Sequence, residues 1–399
     1  MGGDSRSDAS GPRRRFLRRV GAGTASALAG LSGCGRPDSD SEPSTTNAET
    51  PVPDTATPTA TPEPESSSLI DVRGAVYFPS RTFNQYQAWE LYDPEEAARD
   101  LSYARSVNVN ALRTLVSYEY WRDNPAESRQ KLDHFFGAAA ERGVGVLPVL
   151  FESIGEEPTA ENLYDRDVLR NGAIRSPSHE VIRNESEWAG PHQFVRWFVE
   201  RYGGHEGFLA VEVMNEPGEW DDRVRFCRAM LQAARGADPD APLTMGCIGL
   251  SNNLLYDDPP LDVFQFHYNL PPTAAHMESA LTEAARFSRE TETPVWLTEW
   301  QRTREEPPDV LVPNYSSLAT TVRGGDIAGD FFWQLMLKPA YGAVQRAKGR
   351  LNGLFYEDGW VYSADDARAI AGEDGDWNSR QTWPEWAKEL RRSDNDDDG

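Results

Sequence analysis

The sequence predicts a single α/β domain, a (β/α)8 barrel with enlarged loops, over residues 69–392. Short apolar segments of strand type alternate with helix-like segments, which is the pattern of a parallel α/β fold. There are eight such units, and they fill roughly 320 residues, which suits one barrel with long loops at its mouth. The sequence shows no internal repeat and no boundary of a second domain.

Each strand is predicted from a short apolar run that ends at polar or turn-forming residues. In chain order these runs are Val72–Phe78, Asn110–Leu115, Val144–Leu150, Phe208–Val213, Pro242–Cys247, Val263–His267, Pro294–Glu299 and Gly329–Leu335. Helices are predicted between most of them, most clearly at Pro94–Ser106, Glu127–Arg142, Gln193–Tyr202, Arg223–Arg235 and Ala274–Glu290. The polar stretch from Ser153 to Glu187 is predicted to be an insertion after strand 3, at the barrel mouth.

The composition is strongly acidic and poor in lysine. The first 33 residues carry a net charge of +4, six arginines against two aspartates, so the rest of the −24 chain carries −28. Only four of the 40 basic residues are lysine. Dense carboxylates keep a protein soluble at high salt, so the composition favours a halophilic protein over an ordinary acidic secreted one. The charge argues against nucleic acid as a partner, since phosphates require basic patches.

The N-terminus is predicted to direct export. Arg13-Arg14-Arg15-Phe16-Leu17 precedes a short run of small and apolar residues, an arrangement that resembles a twin-arginine signal. Leu31-Ser32-Gly33-Cys34 resembles a lipobox, which implies cleavage after residue 33 and lipidation of Cys34. Residues 34–68 are predicted to be a disordered Ser/Thr/Pro/acidic tether, and residues 393–399 an acidic tail. Lipid at Cys34 would be the sole membrane anchor of an exported protein on the cell surface.

The predicted barrel domain contains two cysteines. Cys227 and Cys247 are predicted to be two buried thiols, with a disulfide left as the alternative. No cluster of histidine, cysteine and aspartate has the spacing of metal ligands, and no glycine-rich phosphate loop is present. The sequence therefore implies no metal and no cofactor.

Two glutamates stand where predicted strands end. Glu216 closes the apolar run of strand 4 in Asn215-Glu216-Pro217, and Glu299 closes strand 7 before Trp300. A glutamate at the C-terminal end of a barrel strand projects into the mouth, where such folds carry out their chemistry. Two carboxylates that face each other across a sugar are what acid-assisted glycoside hydrolysis requires.

At these residues the chain resembles glycoside hydrolase family 5, the cellulase and mannanase family of retaining (β/α)8 enzymes. The resemblance implies that Glu216 is the acid/base and Glu299 the nucleophile. Their carboxyl groups are then expected about 5–5.5 Å apart, the retaining spacing. Glu216 is expected to have a raised pKa, because it must hold a proton while Glu299 stays ionised.

The resemblance also implies supporting residues. Asn215 would bind the 2-hydroxyl of the substrate, and Arg113 on strand 2 would hold the nucleophile ionised. His267 would lie near the acid and Tyr268 near the nucleophile, although adjacent strand residues point to opposite faces. Each residue also has a structural alternative. Asn215 could simply occupy a turn, Arg113 could face solvent, and His267 could be a polar residue of the core.

Aromatic residues near the strand ends are candidates for sugar binding. Trp333 on strand 8 would stack under the sugar whose bond is cut. Five more aromatic residues follow strand ends and could line flanking subsites, with core packing as the alternative: Tyr118, Tyr120, Trp121, Trp220 and Trp300. Where family members commonly carry a histidine after strand 3, this chain has Glu152, which leaves the sugar preference open.

The function that the resemblance implies is a retaining endo-β-glycosidase acting on a β-1,4-linked polysaccharide or oligosaccharide of the mannan or glucan type. The protein is expected to be a monomer. An exo-β-glycosidase or a transglycosylase on the same scaffold is one alternative. A catalytically silent glycan-binding lipoprotein is an alternative from a different class. The presence of both glutamates and of their supporting residues favours an enzyme, because fold alone does not decide function.

Overall fold

A computed structural model describes residues 69–168, 172–301, 314–340 and 351–384. The predicted signal, Cys34, the tether and the acidic tail lie outside these ranges. Within them, no helix is long and apolar enough to cross a membrane.

Eight parallel strands form the barrel, in the order β5-β4-β3-β2-β1-β8-β7-β6. Asp262 N donates to Leu243 O at 2.9 Å and His267 N to Ile248 O at 3.2 Å, and these bonds join the two outer strands of the sheet. The strands are β1 Val72–Val76, β2 Ala111–Leu115, β3 Gly145–Glu152, β4 Val211–Asn215, β5 Leu243–Gly246, β6 Phe264–Tyr268, β7 Val295–Trp300 and β8 Gly329–Phe332. The predicted fold class is therefore confirmed.

Helices surround the barrel, and several begin at residues suited to capping. Asp93 accepts from Glu95 N at 2.8 Å, and Pro94 occupies the first helical position, where its missing N–H costs nothing. The α-helices are α1 Gln85–Glu90, α2 Pro94–Ser106, α3 Tyr118–Asp123, α4 Pro125–Ala140, α5 Ala160–Tyr164, α6 His179–Arg183, α7 Ala189–Tyr202, α8 Asp221–Ala237, α9 Ala274–Thr291, α10 Ala319–Arg323 and α11 Ala364–Ala371. A short antiparallel pair, β9 (Lys338–Pro339) and β10 (Leu351–Asn352), follows the barrel.

The strands extend further into the mouth than their apolar runs predict. β3 continues to Glu152, β4 to Asn215 and β7 to Trp300, because the backbone at these ends still pairs with neighbouring strands. β8 ends earlier, at Phe332 rather than Leu335. Sequence periodicity detects buried strand faces, so it misses the polar ends at the mouth.

The barrel interior is layered. At the N-terminal end an apolar layer includes Leu147, Trp296 and Phe331. Above it lies a polar layer in which Gln265 accepts from Thr298 Oγ1 at 2.6 Å and donates to Thr244 Oγ1 at 2.9 Å. Polar side chains at the C-terminal end of the strands then form the floor of the mouth, as is usual for this fold.

Two further expectations can be compared with the structure. Cys227 and Cys247 are free and buried, as predicted, and Cys227 Sγ lies 3.6 Å from Met214 Sδ. The predicted insertion after strand 3 contains α5 and α6. It returns to the end of β3, where Ser176 N donates to Glu152 O at 2.8 Å.

Candidate active site

Arg113 is the centre of the hydrogen-bond network at the barrel mouth. It is fully buried on β2 and donates through Nη1 to Glu299 Oε1 at 2.8 Å. Nε and Nη2 form a bidentate pair with Glu212 at 2.7 and 2.5 Å, and Nη2 also donates to Asn215 Oδ1 at 2.6 Å. Burial acts to lower the pKa of Arg113, but the charge and hydrogen bonds of Glu212 raise it above its ordinary value. One permanent cation thus orients three acceptors from β4 and β7.

Glu212 is a site residue that the sequence analysis missed. It is fully buried on β4, three residues before Asn215, inside an apolar run. A buried carboxylate requires a partner, and Arg113 supplies two hydrogen bonds. Its close approach to β5 requires glycine at position 246, because a Cβ there would overlap Glu212 Oε1. A glutamate within a strand buried on both faces was the available signal.

Glu216 adopts a backbone conformation that is rare for a residue with a side chain. Its φ is 43°, in the left-handed region. Two bonds hold this conformation: Glu216 N donates to Gly246 O at 2.7 Å, and Ser153 Oγ donates to Glu216 O at 2.5 Å. Strained backbone of this kind is concentrated at functional sites, where surrounding contacts maintain it.

His267 binds Glu216 directly and changes the proton affinity expected of it. His267 Nδ1 lies 2.7 Å from Glu216 Oε1, and the imidazole is nearly inaccessible to solvent. Burial acts to raise the pKa of Glu216, but the hydrogen bond and charge of His267, with the charge of Arg113, outweigh it. The pKa of Glu216 is therefore lowered, which is opposite in direction to the predicted increase.

Glu299 lies opposite Glu216 and is held at both oxygens. Arg113 donates to Oε1 at 2.8 Å, and Asn269 Nδ2 donates to Oε2 at 2.9 Å. One carboxylate oxygen of Glu299, one of Glu216 and a ring nitrogen of His267 all lie within 4.8 Å of one another. The two carboxylates that the sequence singles out are thus brought together at the mouth.

Asn269 occupies the position beside Glu299 that the sequence analysis assigned to Tyr268. The register of β6 against β7 shifts between Phe266 and His267, and alternate residues of β6 then point into the mouth. The ring of Tyr268 packs instead against the hydrophobic core and not beside Glu216, His267 and Glu299. Side-chain alternation was the available signal, because the residue two positions after His267 points to the same face as His267.

Glu152 adds a third carboxyl group to the cluster. Asn215 Nδ2 donates to Oε1 and Oε2 at 3.0 and 2.9 Å, and Ile154 N donates to Oε1 at 2.8 Å. Burial raises the pKa of Glu152 to about 8, and the nearby charges of Glu216 and Glu299 contribute in the same direction. Glu152 therefore carries a proton at neutral pH.

The predicted aromatic residues are divided between the mouth and the core. Trp333 is half-buried at the mouth and packs at a tilt against Phe78, with ring centroids 6.5 Å apart. Trp220 follows β4 and is 68% exposed, so its face is open to a ligand.

Trp300 lies in the core and cannot contact a substrate. It is fully buried, donates to Asp330 Oδ2 at 2.8 Å and packs against Tyr315 and Phe332. The substrate-binding role predicted for it is wrong, because its side chain points away from the mouth. The aromatic residues of α3 are also buried and pack against neighbouring helices: Tyr118, Tyr120 and Trp121.

Glu216, His267 and Glu299 are close enough together to hold a metal ion. The surroundings are poorly suited to one, because the Arg113 guanidinium already contacts Glu299 and would repel a second cation. Asn269 also donates a hydrogen bond to the other oxygen of Glu299. The charge distribution suits a neutral ligand that exchanges protons with Glu216 better than a divalent metal.

Comparison with known proteins gives structural matches alone. No family model matches the chain, and no curated protein matches it in sequence. Among solved structures, an exo-β-1,4-mannosidase from Opitutaceae bacterium strain TAV5 aligns with a TM-score of 0.56 and 18% identity, over 81% of this chain and 60% of that one. A GH5_18 protein from Streptomyces cattleya, in complex with Manβ1-4GlcNAc, aligns with a TM-score of 0.55 and 16% identity, over 76% and 80% of the two chains.

A glycoside hydrolase family 5 mannosidase from Rhizomucor miehei aligns with a TM-score of 0.52 and 12% identity, over 82% of this chain and 94% of that one. At these identities the matches establish the fold. The chain has the (β/α)8 barrel that these glycoside hydrolases share.

Proposed function

We propose that this protein is a retaining β-glycoside hydrolase, with Glu299 as nucleophile and Glu216 as acid/base. The observation that carries the proposal is the approach of Glu216 and Glu299 to within 4.8 Å at the barrel mouth, with Glu299 bound by Arg113. An approach this close between oxygens of the two glutamates is shorter than the roughly 6.5–9.5 Å between the carboxyl groups of inverting enzymes, so it favours the retaining mechanism.

The surrounding contacts supply the two functions that the mechanism needs. Arg113 and Asn269 each donate a hydrogen bond to one oxygen of Glu299 and so orient its carboxyl group for nucleophilic attack. Glu216 is the more exposed of the pair, with 20% of its side chain accessible against 6% for Glu299, as suits a group that meets both the leaving group and water. The hydrogen bond between His267 and Glu216 stabilises the Glu216 carboxylate after Glu216 has given up its proton.

The reaction proceeds in two displacements. Glu299 attacks the anomeric carbon while Glu216 donates a proton to the departing glycosidic oxygen, so one C–O bond forms as another breaks. Water then attacks the anomeric carbon from the face that the leaving group has vacated, opposite the ester bond to Glu299. Glu216 accepts the proton of that water, and Glu299 leaves as a carboxylate. The anomeric configuration is retained, because it is inverted twice.

The substrate class that we propose is a β-1,4-linked polysaccharide or oligosaccharide of the mannan or glucan type. The mannosidases with the same fold support the mannan type, and the half-buried Trp333 offers a stacking surface for a pyranose ring. The exposed Trp220, which follows β4, offers a second aromatic face, and this favours a substrate longer than a single sugar.

A substrate screen tests the proposal. Purified protein is incubated with mannan, cellulose, xylan and β-1,3-glucan at low and molar salt, and new reducing ends are measured. We expect release from mannan or cellulose, and none from the Glu299→Ala variant under the same conditions. Wild-type protein that releases no sugar from any substrate, at either salt concentration, would contradict the proposed function.

We also propose that the protein is exported, lipidated at Cys34 and adapted to high salt, from the sequence motifs and the charge of −24. Cys34→Ser should release the protein from membranes without loss of activity, and persistence in the membrane fraction would contradict lipidation. Molar salt should raise the melting temperature by screening the repulsion between carboxylates. An unchanged melting temperature would contradict the salt adaptation.

A further inference from the structure

Glu152 lies at the end of β3 and contacts Asn215, the residue before the proposed acid/base Glu216. Both of its oxygens accept from Asn215 Nδ2, at 3.0 and 2.9 Å. Ile154 N donates to Oε1 at 2.8 Å and fixes the carboxyl group against the backbone. Glu152 is only 5% exposed, so these contacts are sheltered from bulk water.

The orientation of the Asn215 amide follows from its two partners. The guanidinium of Arg113 can only donate hydrogen bonds, so the Asn215 atom that it contacts at 2.6 Å must be the amide oxygen. Nδ2 therefore faces Glu152. The two oxygens of one carboxyl group subtend a narrow angle at Nδ2, whereas the two amide hydrogens diverge widely, so a single N–H serves both oxygens. The second N–H of Asn215 is left for another acceptor.

The protonation state of Glu152 suits this role. Burial raises its pKa to about 8, so the group is neutral at neutral pH and adds no third negative charge beside Glu216 and Glu299. A protonated carboxyl group can accept from Asn215 through one oxygen and still donate its own hydrogen elsewhere. A glutamine amide placed there would turn an N–H toward the N–H of Asn215 instead.

We propose that Glu152 is a positioning residue that determines sugar specificity, by fixing the Asn215 amide so that its second N–H binds the 2-hydroxyl of the sugar at the cleaved bond. This inference rests on the proposed function. Glucose and mannose differ in configuration at C2 alone, so a pair that binds this hydroxyl acts at the atom that distinguishes the two sugars. The contact would strengthen in the transition state and so contribute to kcat more than to KM.

The test compares aryl β-mannoside and β-glucoside with their common 2-deoxy analogue. We expect Glu152→Gln to lower kcat/KM about 10- to 100-fold on the better 2-hydroxy substrate, mostly through kcat, as a buried polar group left without its partner would. On the 2-deoxy analogue the variant and the wild type should differ by less than about 3-fold. In an Asn215→Ala background, Glu152→Gln should have no further effect.

Glu119→Gln is the matched control. Glu119 is another buried carboxyl group with a raised pKa, about 7, but it binds Ser176 Oγ at 2.7 Å rather than Asn215. We expect this variant to retain wild-type kcat/KM on all three substrates. Equal losses for Glu152→Gln on the 2-hydroxy and 2-deoxy substrates would overturn the inference and leave the proposed function intact. Wild-type protein that cleaves none of the glycosides would overturn both.

Discussion

Replacing Arg113 should lower the free energy of unfolding of the barrel and also abolish activity, and a second substitution can separate the two effects. The guanidinium is fully buried and makes four charge-assisted hydrogen bonds, two to Glu212 and one each to Glu299 and Asn215. Arg113→Met leaves Glu212 as an uncompensated buried charge, a loss of about 3–5 kcal/mol. That is a large part of the roughly 5–15 kcal/mol that stabilises a typical domain.

A second substitution distinguishes this explanation from general disruption. Arg113→Met/Glu212→Met removes both buried charges, so it should recover most of the stability. It should stay inactive, because Glu299 still lacks its Arg113 donor. The exposed pair Arg196–Glu200, at 3.3 Å, provides the control: Arg196→Met should cost under about 1 kcal/mol. Urea unfolding measures the free energies, and an Arg113→Met variant as stable as Arg196→Met would refute the reasoning.

Two further predictions concern protons. Removing the imidazole in His267→Gln should raise the pKa of Glu216, because burial is then opposed by the charge of Arg113 alone, and the basic limb of kcat/KM on an oligosaccharide should move to higher pH. A basic limb that stays at the same pH in the variant would contradict the effect of His267 on the pKa of Glu216. Glu152, Glu119 and Asp100 have pKa values raised to about 8, 7 and 7, so the native state holds protons that the unfolded chain releases. The free energy of unfolding should therefore fall as pH rises from about 5 to 7, by up to a few kcal/mol, and urea titrations at pH 5, 6 and 7 that show a rise would contradict it.

The sequence predicted the barrel because burial of strands and helices leaves a periodic pattern. All eight strands overlap their predicted ranges, and α2 matches Pro94–Ser106 at both ends. Glu216 and Glu299 could be found because each closes an apolar run. Glu212 could not be found in this way, since it lies within such a run and depends on Arg113, which is 99 residues away in the chain.

Contacts between distant strands explain the remaining differences. Alternation after His267 could have identified Asn269 rather than Tyr268 as the residue that faces Glu299, but the register shift between β6 and β7 has no local pattern in the sequence. The position of Trp300 after Glu299 predicts a residue of the mouth, yet the strand continues through Trp300 and buries it. The pKa of Glu216 depends on a histidine from β6, so its direction follows from the folded geometry alone.

The roles of the two glutamates are tested most directly by rescue with azide. Glu299→Ala and Glu216→Ala are each incubated with an activated aryl β-glycoside and sodium azide, and the anomeric configuration of the glycosyl azide is read by NMR. We predict the inverted azide from Glu299→Ala, since azide attacks in place of the missing nucleophile. From Glu216→Ala we predict the retained azide, since azide attacks the glycosyl ester on Glu299. The opposite pair of products would exchange the two roles, and full activity of either variant without azide would contradict the glycosidase mechanism.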